Sequence, residues 1–306
     1  MPGMRCRAAR VALVLLLFIS VGCAQPTVHA VASAAPRSLH ILVTNDDGVG
    51  APGIVALREA LLARGHRVTV VAPSGNRSGS SVALTTDGVL AVHTLEPGIY
   101  SVDGTPADCA MVGLRHIVKD DPVDLVVSGL NFGQNIGVRV VSSGTVGAAI
   151  AAAGEGVPAI ATSQTVDPND YRKTPRYFPD AAAFTASLVD QLSTRRDGPL
   201  LPRGVVLNVN YPARERDAVS GVRLTHQGSF ILYELNYAPV GDGRYAVSFS
   251  RAEKIDSDPY ADTRAISEGY VSVTPLYGSW TSEDQVMADL HPLAEQLVPL
   301  PASSAP

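Results

Sequence analysis

Short apolar runs alternate with helical patterns along most of the chain. A strand-like run at residues 38–44 stops at Asn45-Asp46-Asp47-Gly48, a sequence typical of a loop. A helical pattern, with apolar side chains every three or four residues, then begins at Pro52 and ends before Gly65. A second strand-like run follows at residues 66–72. This order predicts a β–α–β unit, the repeating element of a parallel sheet.

The same alternation continues to about residue 210. Further strands are predicted at 123–127, 159–163 and 205–209, further helices at 105–118, 145–153 and 179–192, an inserted hairpin at 89–93 and 99–102, and a long loop at 128–144. Thr105, Pro106 and Asp108 supply an N-cap, a first-turn proline and a capping-box acid for the first of these helices. Strands separated by helices predict an α/β fold, with a Rossmann-like parallel sheet and helices on both of its faces.

The pattern changes after residue 210 to alternating runs that contain many aromatic side chains. These runs, at 230–237, 245–249 and 270–274, are followed by a helical pattern at 283–297. We therefore predict a C-terminal β-rich segment appended to the sheet. The predicted organisation is a signal peptide and linker at 1–30, an α/β core at 38–210, a β-hairpin and helix extension of the same domain at 211–298, and a disordered tail at 299–306.

The N-terminus has the pattern of an export signal. Arg5, Arg7 and Arg10 precede a largely apolar run at residues 11–21. That run is too short to cross about 30 Å of hydrocarbon comfortably as a helix. The sequence predicts an exported protein, which is periplasmic, secreted or held at a membrane by a lipid on Cys23. Cleavage after Ala30, without a lipid, is the alternative.

The composition narrows the class of protein. Apolar residues make up 46% of the chain and charged residues only 17%, which supports a full hydrophobic core and excludes general disorder. The formal net charge is −5, and losing the three arginines of the signal makes it −8. Because a negative surface repels the phosphate backbone, we expect no binding of a nucleic acid polymer. Cys109 is the one cysteine outside the signal, so no internal disulfide is expected.

Oxygen-bearing side chains follow each of the first three core strands. They are Asn45, Asp46, Asp47, Asn76, Ser78, Ser80, Ser128, Asn131, Gln134 and Asn135, and the cationic Arg77 lies among them. The carboxyl ends of parallel strands lie along one edge of a sheet, so these loops should meet there. Carboxylate, hydroxyl and amide oxygens without histidine or cysteine suit Mg²⁺, Mn²⁺ or Ca²⁺ better than zinc. A cation would also relieve the repulsion between Asp46 and Asp47. A solvated turn is the alternative for this pair.

Ser143-Gly144-Thr145 precedes a predicted helix at the same edge. Backbone N–H groups at a helix N-terminus can bind a phosphate, but a simple N-cap explains the same residues. Neither the Walker A sequence nor G-x-G-x-x-G is present. A conventional nucleotide-binding loop is therefore not predicted.

Seven motifs occur together in one order. They are Asn45-Asp46-Asp47-Gly48-x-x-Ala51-Pro52-Gly53, Asn76-Arg77-Ser78-Gly79, Gly104-Thr105-Pro106-x-Asp108-Cys109, Ser128-Gly129-x-Asn131-x-Gly133-x-Asn135, Ser143-Gly144-Thr145-Val146-x-Ala148-Ala149, Leu207-Asn208-Val209-Asn210 and Gly269-Tyr270-Val271-Ser272-Val273-Thr274-Pro275-Leu276. Together they closely resemble the SurE family, the survival-protein-E 5'/3'-nucleotidases. The resemblance covers roughly residues 40–276.

The resemblance implies metal-dependent removal of phosphate from nucleoside 5'-monophosphates, with the 3' isomers and short polyphosphate as further substrates of some members. By motif, one divalent cation per subunit, Mn²⁺ or Mg²⁺ with Ca²⁺ as a further candidate, would bind Asp46, Asp47, Ser78 and Asn131. Either aspartate could be the general base, and Asn45, a catalytic residue with them, would help to hold the phosphate. The phosphate would bind Asn135, Ser143, Gly144 and Thr145. The resemblance also implies a homo-oligomer, a dimer or a tetramer.

Two other functions remain open on the sequence. An exported protein could bind a metal and a nucleotide without turning the nucleotide over. A phosphatase with a covalent aspartyl intermediate is the other alternative, although the chain has no DxDGT sequence. A phosphate-release assay with and without Mn²⁺ would separate the hydrolase from the binding protein, and an attempt to trap a phospho-aspartate would test the covalent mechanism.

Overall fold

A computed structural model describes residues 35–278, apart from positions 196 and 253. The predicted signal peptide and its Cys23, the helix at 283–297 and the tail at 299–306 lie outside the described residues. Export and lipid attachment therefore stay predictions. Within residues 35–278, no helix has the length and the apolar character needed to span a bilayer.

Eleven strands are present in the described part of the chain. They are β1 (His40–Thr44), β2 (Arg67–Pro73), β3 (Val92–Glu96), β4 (Ile99–Val102), β5 (Leu125–Phe132), β6 (Ala159–Gln164), β7 (Val205–Tyr211), β8 (Val222–Leu224), β9 (Tyr233–Gly241), β10 (Arg244–Arg251) and β11 (Val271–Tyr277). Nine of them form one sheet in the order β3-β4-β2-β1-β5-β6-β7-β11-β8, and β9 and β10 form a separate antiparallel hairpin. The six strands from β4 to β7 in that order are parallel, and β3, β11 and β8 run the opposite way.

Helices cover both faces of the sheet. The described residues form α1 (Pro52–Ala63), α2 (Pro106–Val112), α3 (Gly144–Gly154), α4 (Phe178–Ser193) and the short α5 (Asp262–Ser267). The helices α1 and α4 pack on one face, and α2 and α3 pack on the other. Ile41 and Val43 of β1 face the first pair, whereas Leu42 faces the second. The predicted α/β class, with helices on both faces of a mainly parallel sheet, is confirmed.

Local signals in the sequence explain where the helices begin. In α2 the Thr105 hydroxyl accepts the Asp108 N–H, and the Asp108 carboxylate accepts the Thr105 N–H, as the capping box predicts. In α1 the apolar side chains of Ile54, Leu57 and Leu61 lie on one stripe and are buried. Burial of such side chains contributes roughly 1.5–3 kcal/mol each, which outweighs the modest helix propensity of a short segment.

The strand β5 is longer than its sequence predicts. Residues 128–132, which we assigned to a loop, continue the strand and pair with β6, although the register is irregular between Ser128 and Asn131. A Cβ atom on Gly129 would lie 2.3 Å from the Thr162 carbonyl oxygen, so only glycine fits this close approach. The polar, glycine-containing composition of this segment is typical of a loop, but pairing with β6 keeps the segment in the sheet.

The C-terminal segment divides between the sheet and the hairpin. The β9–β10 pair is the predicted appended β-rich element. By contrast, β11 pairs antiparallel with β7 and β8 pairs with β11, so part of the region beyond residue 210 extends the central sheet. Pro212 and Arg214, which follow β7, line one cavity together with Tyr233 and Arg251 of the hairpin.

Candidate functional site

The order in which the chain adds strands to the sheet switches sides at β1. The chain passes first to β2 on one side of β1 and later to β5 on the other side. In an open parallel sheet, a crevice forms at the carboxyl ends of two strands whose connections diverge in this way. The predicted acid pair follows β1 directly, so it lies at this crevice, between the loops after β2 and β5.

Asn45 holds the turn that follows β1. Its side-chain oxygen accepts the Gly48 N–H at 3.2 Å, and its amide nitrogen donates to the Gly48 carbonyl oxygen at 2.9 Å. The residue is fully buried. Asn45 therefore fixes the backbone that presents Asp46 and Asp47, and its predicted part in the reaction stays a prediction.

Asp46 is buried at the N-terminus of α3. The Thr145 hydroxyl donates to Asp46 Oδ1 at 2.6 Å, and the carboxylate also interacts with the N–H groups of Gly144 and Thr145. Burial raises the pKa of Asp46 above its ordinary value, and these hydrogen bonds offset that effect only in part. An ionised Asp46 would thus gain from a cation placed beside it.

Asp47 reaches toward the end of β5. Its Oδ2 atom accepts the Phe132 N–H at 2.8 Å. Burial, together with the charge of Asp46, raises the pKa of Asp47 to about 6. Asn131 precedes Phe132 and is itself buried, and its amide nitrogen donates to the Gly133 carbonyl oxygen at 2.7 Å. The structure therefore brings the Asn131 segment to the acid pair, as the parallel sheet predicts.

The loop after β2 folds against the same acids. The Arg77 N–H donates to the Asp46 backbone carbonyl oxygen at 2.6 Å. Ser78, a predicted ligand, follows directly; it is exposed, and its N–H donates to the Asn76 side chain at 3.0 Å. The structure places the Ser78 backbone next to the site, and direct binding by its hydroxyl stays a prediction.

Ser80 is a site residue to which the sequence assigned no separate role. Its hydroxyl is buried and has no hydrogen-bond partner among the described residues. A Cβ atom built on Gly144 would lie 2.6 Å from Ser80 Oγ, 2.8 Å from Asp46 Cβ and 3.0 Å from Asp46 Oδ2. The serine hydroxyl, the carboxylate and the first residue of α3 therefore converge on one point, which leaves room there for glycine alone.

The start of α3 is both a cap and a support for Asp46. Ser143 is the N-cap, since its hydroxyl accepts the Val146 N–H at 3.1 Å. The simple N-cap that we considered for this turn is thus present. The backbone N–H groups of Gly144 and Thr145 already interact with the Asp46 carboxylate. A phosphate bound by residues 143–145 would therefore have to share these N–H groups with that carboxylate. That role stays a prediction.

Asn135 lies in a buried amide network below the crevice. Its amide nitrogen donates to Ser163 Oγ at 2.9 Å, and its N–H donates to the Asn210 side chain at 2.8 Å. Its carbonyl oxygen accepts from Asn208 at 2.7 Å and from Asn210 at 3.1 Å. The structure gives no contact between Asn135 and the acid pair. Its predicted phosphate contact is untested, and the network fixes the backbone of the loop after β5.

The middle of that loop is tied to the C-terminal segment. The buried Asp262 carboxylate accepts N–H groups from Gly137 at 3.0 Å, Gly228 at 2.9 Å and Thr263 at 2.7 Å. Gln227 donates to the Gly137 carbonyl oxygen at 3.0 Å. Both peptide groups of Gly137 are therefore held, so the path from Asn135 to Ser143 is fixed by residues more than 80 positions away.

The donor set fits a hard divalent cation. Nowhere in the described ranges do three His, Cys, Asp or Glu side chains converge as a metal site. The crevice instead offers two carboxylates with raised pKa values and neutral hydroxyl and amide oxygens, including the unpartnered Ser80 hydroxyl. Oxygen donors of this kind suit Mg²⁺, Mn²⁺ or Ca²⁺. The chemistry of these residues thus agrees with the cation that the sequence predicted.

Comparison with known proteins gives consistent matches. Residues 41–233 match the family model described as survival protein SurE. The 5'-nucleotidase SurE of Azorhizobium caulinodans is 38% identical over 249 residues, which cover 80% of this chain and 95% of that protein. The 5'/3'-nucleotidase SurE of Photorhabdus laumondii is 42% identical over 242 residues, which cover 78% of this chain and 89% of that protein.

A solved structure shows the same fold. The crystal structure of the SurE protein from Aquifex aeolicus has a TM-score of 0.70 and 34% sequence identity to this chain, and it covers 83% of this chain and 99% of its own. The residues that match the family model include every predicted ligand and every predicted phosphate-binding position.

Proposed function

This chain belongs to the SurE family, and from that membership we propose that it is a divalent-metal-dependent phosphomonoesterase. Its substrates would be nucleoside 5'-monophosphates, with the 3' isomers as a second class, and its products a nucleoside and phosphate. The observation that carries the proposal is the acid pair at the crevice, where Thr145 orients the buried Asp46 and the Phe132 N–H orients the half-buried Asp47.

Asp46, Asp47, Ser78 and Asn131 would hold one cation, Mn²⁺ or Mg²⁺. When bound, such an ion polarises phosphoryl oxygens and lowers the pKa of a water molecule. The ion also explains why the fold keeps two adjacent acids whose pKa values are raised by burial, since ionised carboxylates need a counter-charge there.

The protein's own groups would orient the reaction. Asp46 Oδ1 is engaged by Thr145, and Asp47 Oδ2 is engaged by the Phe132 N–H. Asp47 Oδ1 is thus the carboxylate oxygen of Asp47 that is free to take a proton from the attacking water. A cation bound beside this carboxylate would lower its pKa, so the choice of proton acceptor rests on geometry. Asp46 is buried against Thr145, whereas Asp47 is half-buried and keeps one oxygen without a hydrogen bond among the described residues, so we favour Asp47.

Phosphate release from AMP, GMP, UMP and their 3' isomers tests the proposal. We expect turnover with Mn²⁺ or Mg²⁺, loss of turnover with a chelator, and recovery when the cation is restored. Asp46→Asn should lower kcat/KM by at least about a hundredfold, because even groups that only support a metal ligand are worth 10–100-fold. Asp120→Asn is the matched control, because Asp120 is 91% exposed and remote from the crevice.

Two results would contradict the proposal that the chain is a hydrolase. The first is full activity of Asp46→Asn with an unchanged circular dichroism spectrum. The second is binding of Mn²⁺ and nucleotide by calorimetry with no phosphate released over hours, which would identify a binding protein without turnover.

The hairpin formed by β9 and β10 supports self-association of the chain. Tyr237 pairs with Val247 and Leu235 pairs with Phe249, so apolar side chains share one face of a two-stranded sheet. Tyr237 is 62%, Val247 59% and Phe249 71% exposed. A hairpin of two strands is marginally stable alone, and an exposed apolar face marks an interface. We propose that this face packs against a second copy, which sedimentation of the purified protein would reveal as a dimer or tetramer.

A further inference from the structure

A cavity lies beside the crevice, at the carboxyl ends of β6 and β7. Its volume is about 140 Å³, and the base of the β9–β10 hairpin closes one side. Val166 follows β6, Pro212 and Arg214 follow β7, and Tyr233 begins β9. These residues lie on the same sheet edge as the acid pair, because β5, β6 and β7 are parallel neighbours.

One loop joins this cavity to the acid pair. Gln134 lines the cavity, and it lies three residues after the predicted ligand Asn131. Its side-chain oxygen accepts the Val166 N–H at 3.2 Å, and the Gly133 N–H donates to the Gln164 carbonyl oxygen at 2.8 Å. The cavity begins about two strand spacings, roughly 10 Å, from the crevice. A sugar that connects a phosphate to a base can bridge two such positions.

The walls of the cavity suit a flat ring. Val166, Pro212, Leu232 and Tyr233 provide apolar and aromatic surface. A cavity of about 150 Å³ accommodates a benzene ring, so the present volume holds one six-membered ring. The cavity is open to solvent on one side, so the second ring of a purine can project from it. These apolar walls favour a ring over an inorganic anion, which would interact with the polar part of the lining only.

Two arginines add hydrogen-bond donors to the same walls. Among the described residues, no carboxylate pairs with Arg214 or Arg251, although both line the cavity. The Arg214 guanidinium lies against Gly269, where a Cβ atom would be only 2.3 Å from Arg214 Cζ. Close packing against this backbone restricts the guanidinium. Arginine donors recognise carbonyl oxygens on bases, as in the contact to O6 and N7 of guanine.

We propose that this cavity binds the nucleobase of the substrate and that Arg214 and Arg251 favour bases with carbonyl groups. The inference rests on the proposed phosphomonoesterase function and extends it to a substrate class, the monophosphates of guanine, uracil and cytosine, whose bases carry a carbonyl oxygen that adenine lacks. The aromatic ring of Tyr233 and the apolar walls hold the base, while the two guanidinium groups donate to its oxygen atoms.

The test compares substrates with and without a base. Wild type, Arg214→Met and Arg251→Met are assayed for kcat and KM on GMP, UMP, AMP, ribose 5-phosphate and inorganic tripolyphosphate. Arg203→Met is the matched control, because Arg203 is an exposed arginine at the opposite end of β7. Thermal unfolding of each variant verifies the fold, and Arg251, exposed on β10, can be replaced with little effect on packing.

Wild type should show a higher kcat/KM for GMP and UMP than for AMP. Each cavity variant should raise KM for GMP and UMP by about tenfold to a hundredfold, the value of a hydrogen bond from a charged donor. Turnover of ribose 5-phosphate, which has no base, should stay within about twofold of wild type. The same pattern in Arg251→Met supports the proposal even if Arg214→Met is unstable.

Three results would overturn the base subsite. One is an equal loss on ribose 5-phosphate and on the nucleotides, another is a preference for AMP that both variants retain, and the third is a selective loss on inorganic tripolyphosphate. Failure of the proposed hydrolysis can be distinguished from failure of the base subsite. If wild type releases no phosphate from any substrate but binds guanosine by calorimetry, and Arg214→Met does not bind it, the base subsite stands while the phosphomonoesterase fails.

Discussion

Replacing Asp47 with asparagine should stabilise the metal-free protein while removing its response to metal. Burial and the charge of Asp46 raise the pKa of Asp47 from 3.8 to about 6. At neutral pH the ionised carboxylate is therefore less favourable in the folded chain than in the unfolded chain. Asparagine has nearly the same shape, cannot ionise, and can still accept the Phe132 N–H that Asp47 Oδ2 accepts at 2.8 Å.

The sign and size of the effect follow from proton linkage. An acid with a higher pKa in the folded state binds more protons when folded, so stability falls as pH rises from 3.8 to about 6 and is level above that. One pKa unit corresponds to about 1.4 kcal/mol, which makes the full cost about 3 kcal/mol. Asp47 is partly exposed, and solvent screening reduces that figure, so we expect roughly 1–3 kcal/mol. For a domain of this size, that is a rise in Tm of about 2–12 °C.

Thermal unfolding in chelator at pH 4 and at pH 7.5 measures this effect. The gain of Asp47→Asn over wild type should be present at pH 7.5 and nearly absent at pH 4, and Mn²⁺ should raise the Tm of wild type alone. Asp108→Asn provides a control of opposite sign. Although burial favours its neutral form, hydrogen bonds from Thr105 and Thr85 hold the pKa of Asp108 below its ordinary value, so this variant should lose stability at pH 7.5.

The outcome that would refute this reasoning is a loss of stability in Asp47→Asn at pH 7.5 without metal. It would mean that the carboxylate is stabilised in the folded chain by partners other than a cation. A gain of equal size at both pH values would also contradict the linkage, since the protonated acid at pH 4 carries no electrostatic penalty.

Two further substitutions test close packing at the site and association through the hairpin. In Gly144→Ala the new Cβ would meet Ser80 Oγ at 2.6 Å and Asp46 Cβ at 2.8 Å, so phosphate release should fall about tenfold or more; Gly154→Ala at the end of the same helix meets nothing within 4 Å and should retain full activity. Phe249→Asp should convert the oligomer to a monomer in sedimentation, because it adds a charge to the apolar face of the hairpin. Ser248→Asp, on the other face, should leave association unchanged, and an unaltered oligomer in both variants would reject the hairpin interface.

The strands and helices of the core could be predicted because their signals are local. A capping box, apolar stripes and β-type runs lie within a few residues of one another, and they locate α2, α1 and β1 without reference to the rest of the chain. The end of β5 could not be located in this way. Its residues 128–132 have a loop-like composition, and only pairing with β6, more than 30 positions later, keeps them extended.

The same distinction applies to the site. The motifs predict Asp46, Asp47, Ser78 and Asn131 as ligands, and the parallel sheet brings the loops that carry them to one edge. The residues that support the site could not be predicted in this way, because each of them acts through a contact with a residue that is distant in the sequence. Asp262 holds Gly137 from 125 positions away. Asn208 and Asn210 are an exception, because the sequence does indicate their role. Their two amides lie on one face of an otherwise apolar strand, and burying them costs free energy unless both form hydrogen bonds.

Electrostatics links the acid pair to the need for a cation. A phosphate group approaching the crevice meets two carboxylates on a chain whose formal net charge is −5. The N-terminus of α3 would ordinarily attract an anion, but Gly144 and Thr145 already direct their N–H groups at Asp46. The helix dipole is therefore largely compensated within the protein and cannot by itself hold a doubly charged phosphate. A divalent cation between the carboxylates would neutralise their two negative charges, and such a cation would account for the retention of one buried and one half-buried acid at the same edge of a fold with a marginal net stability.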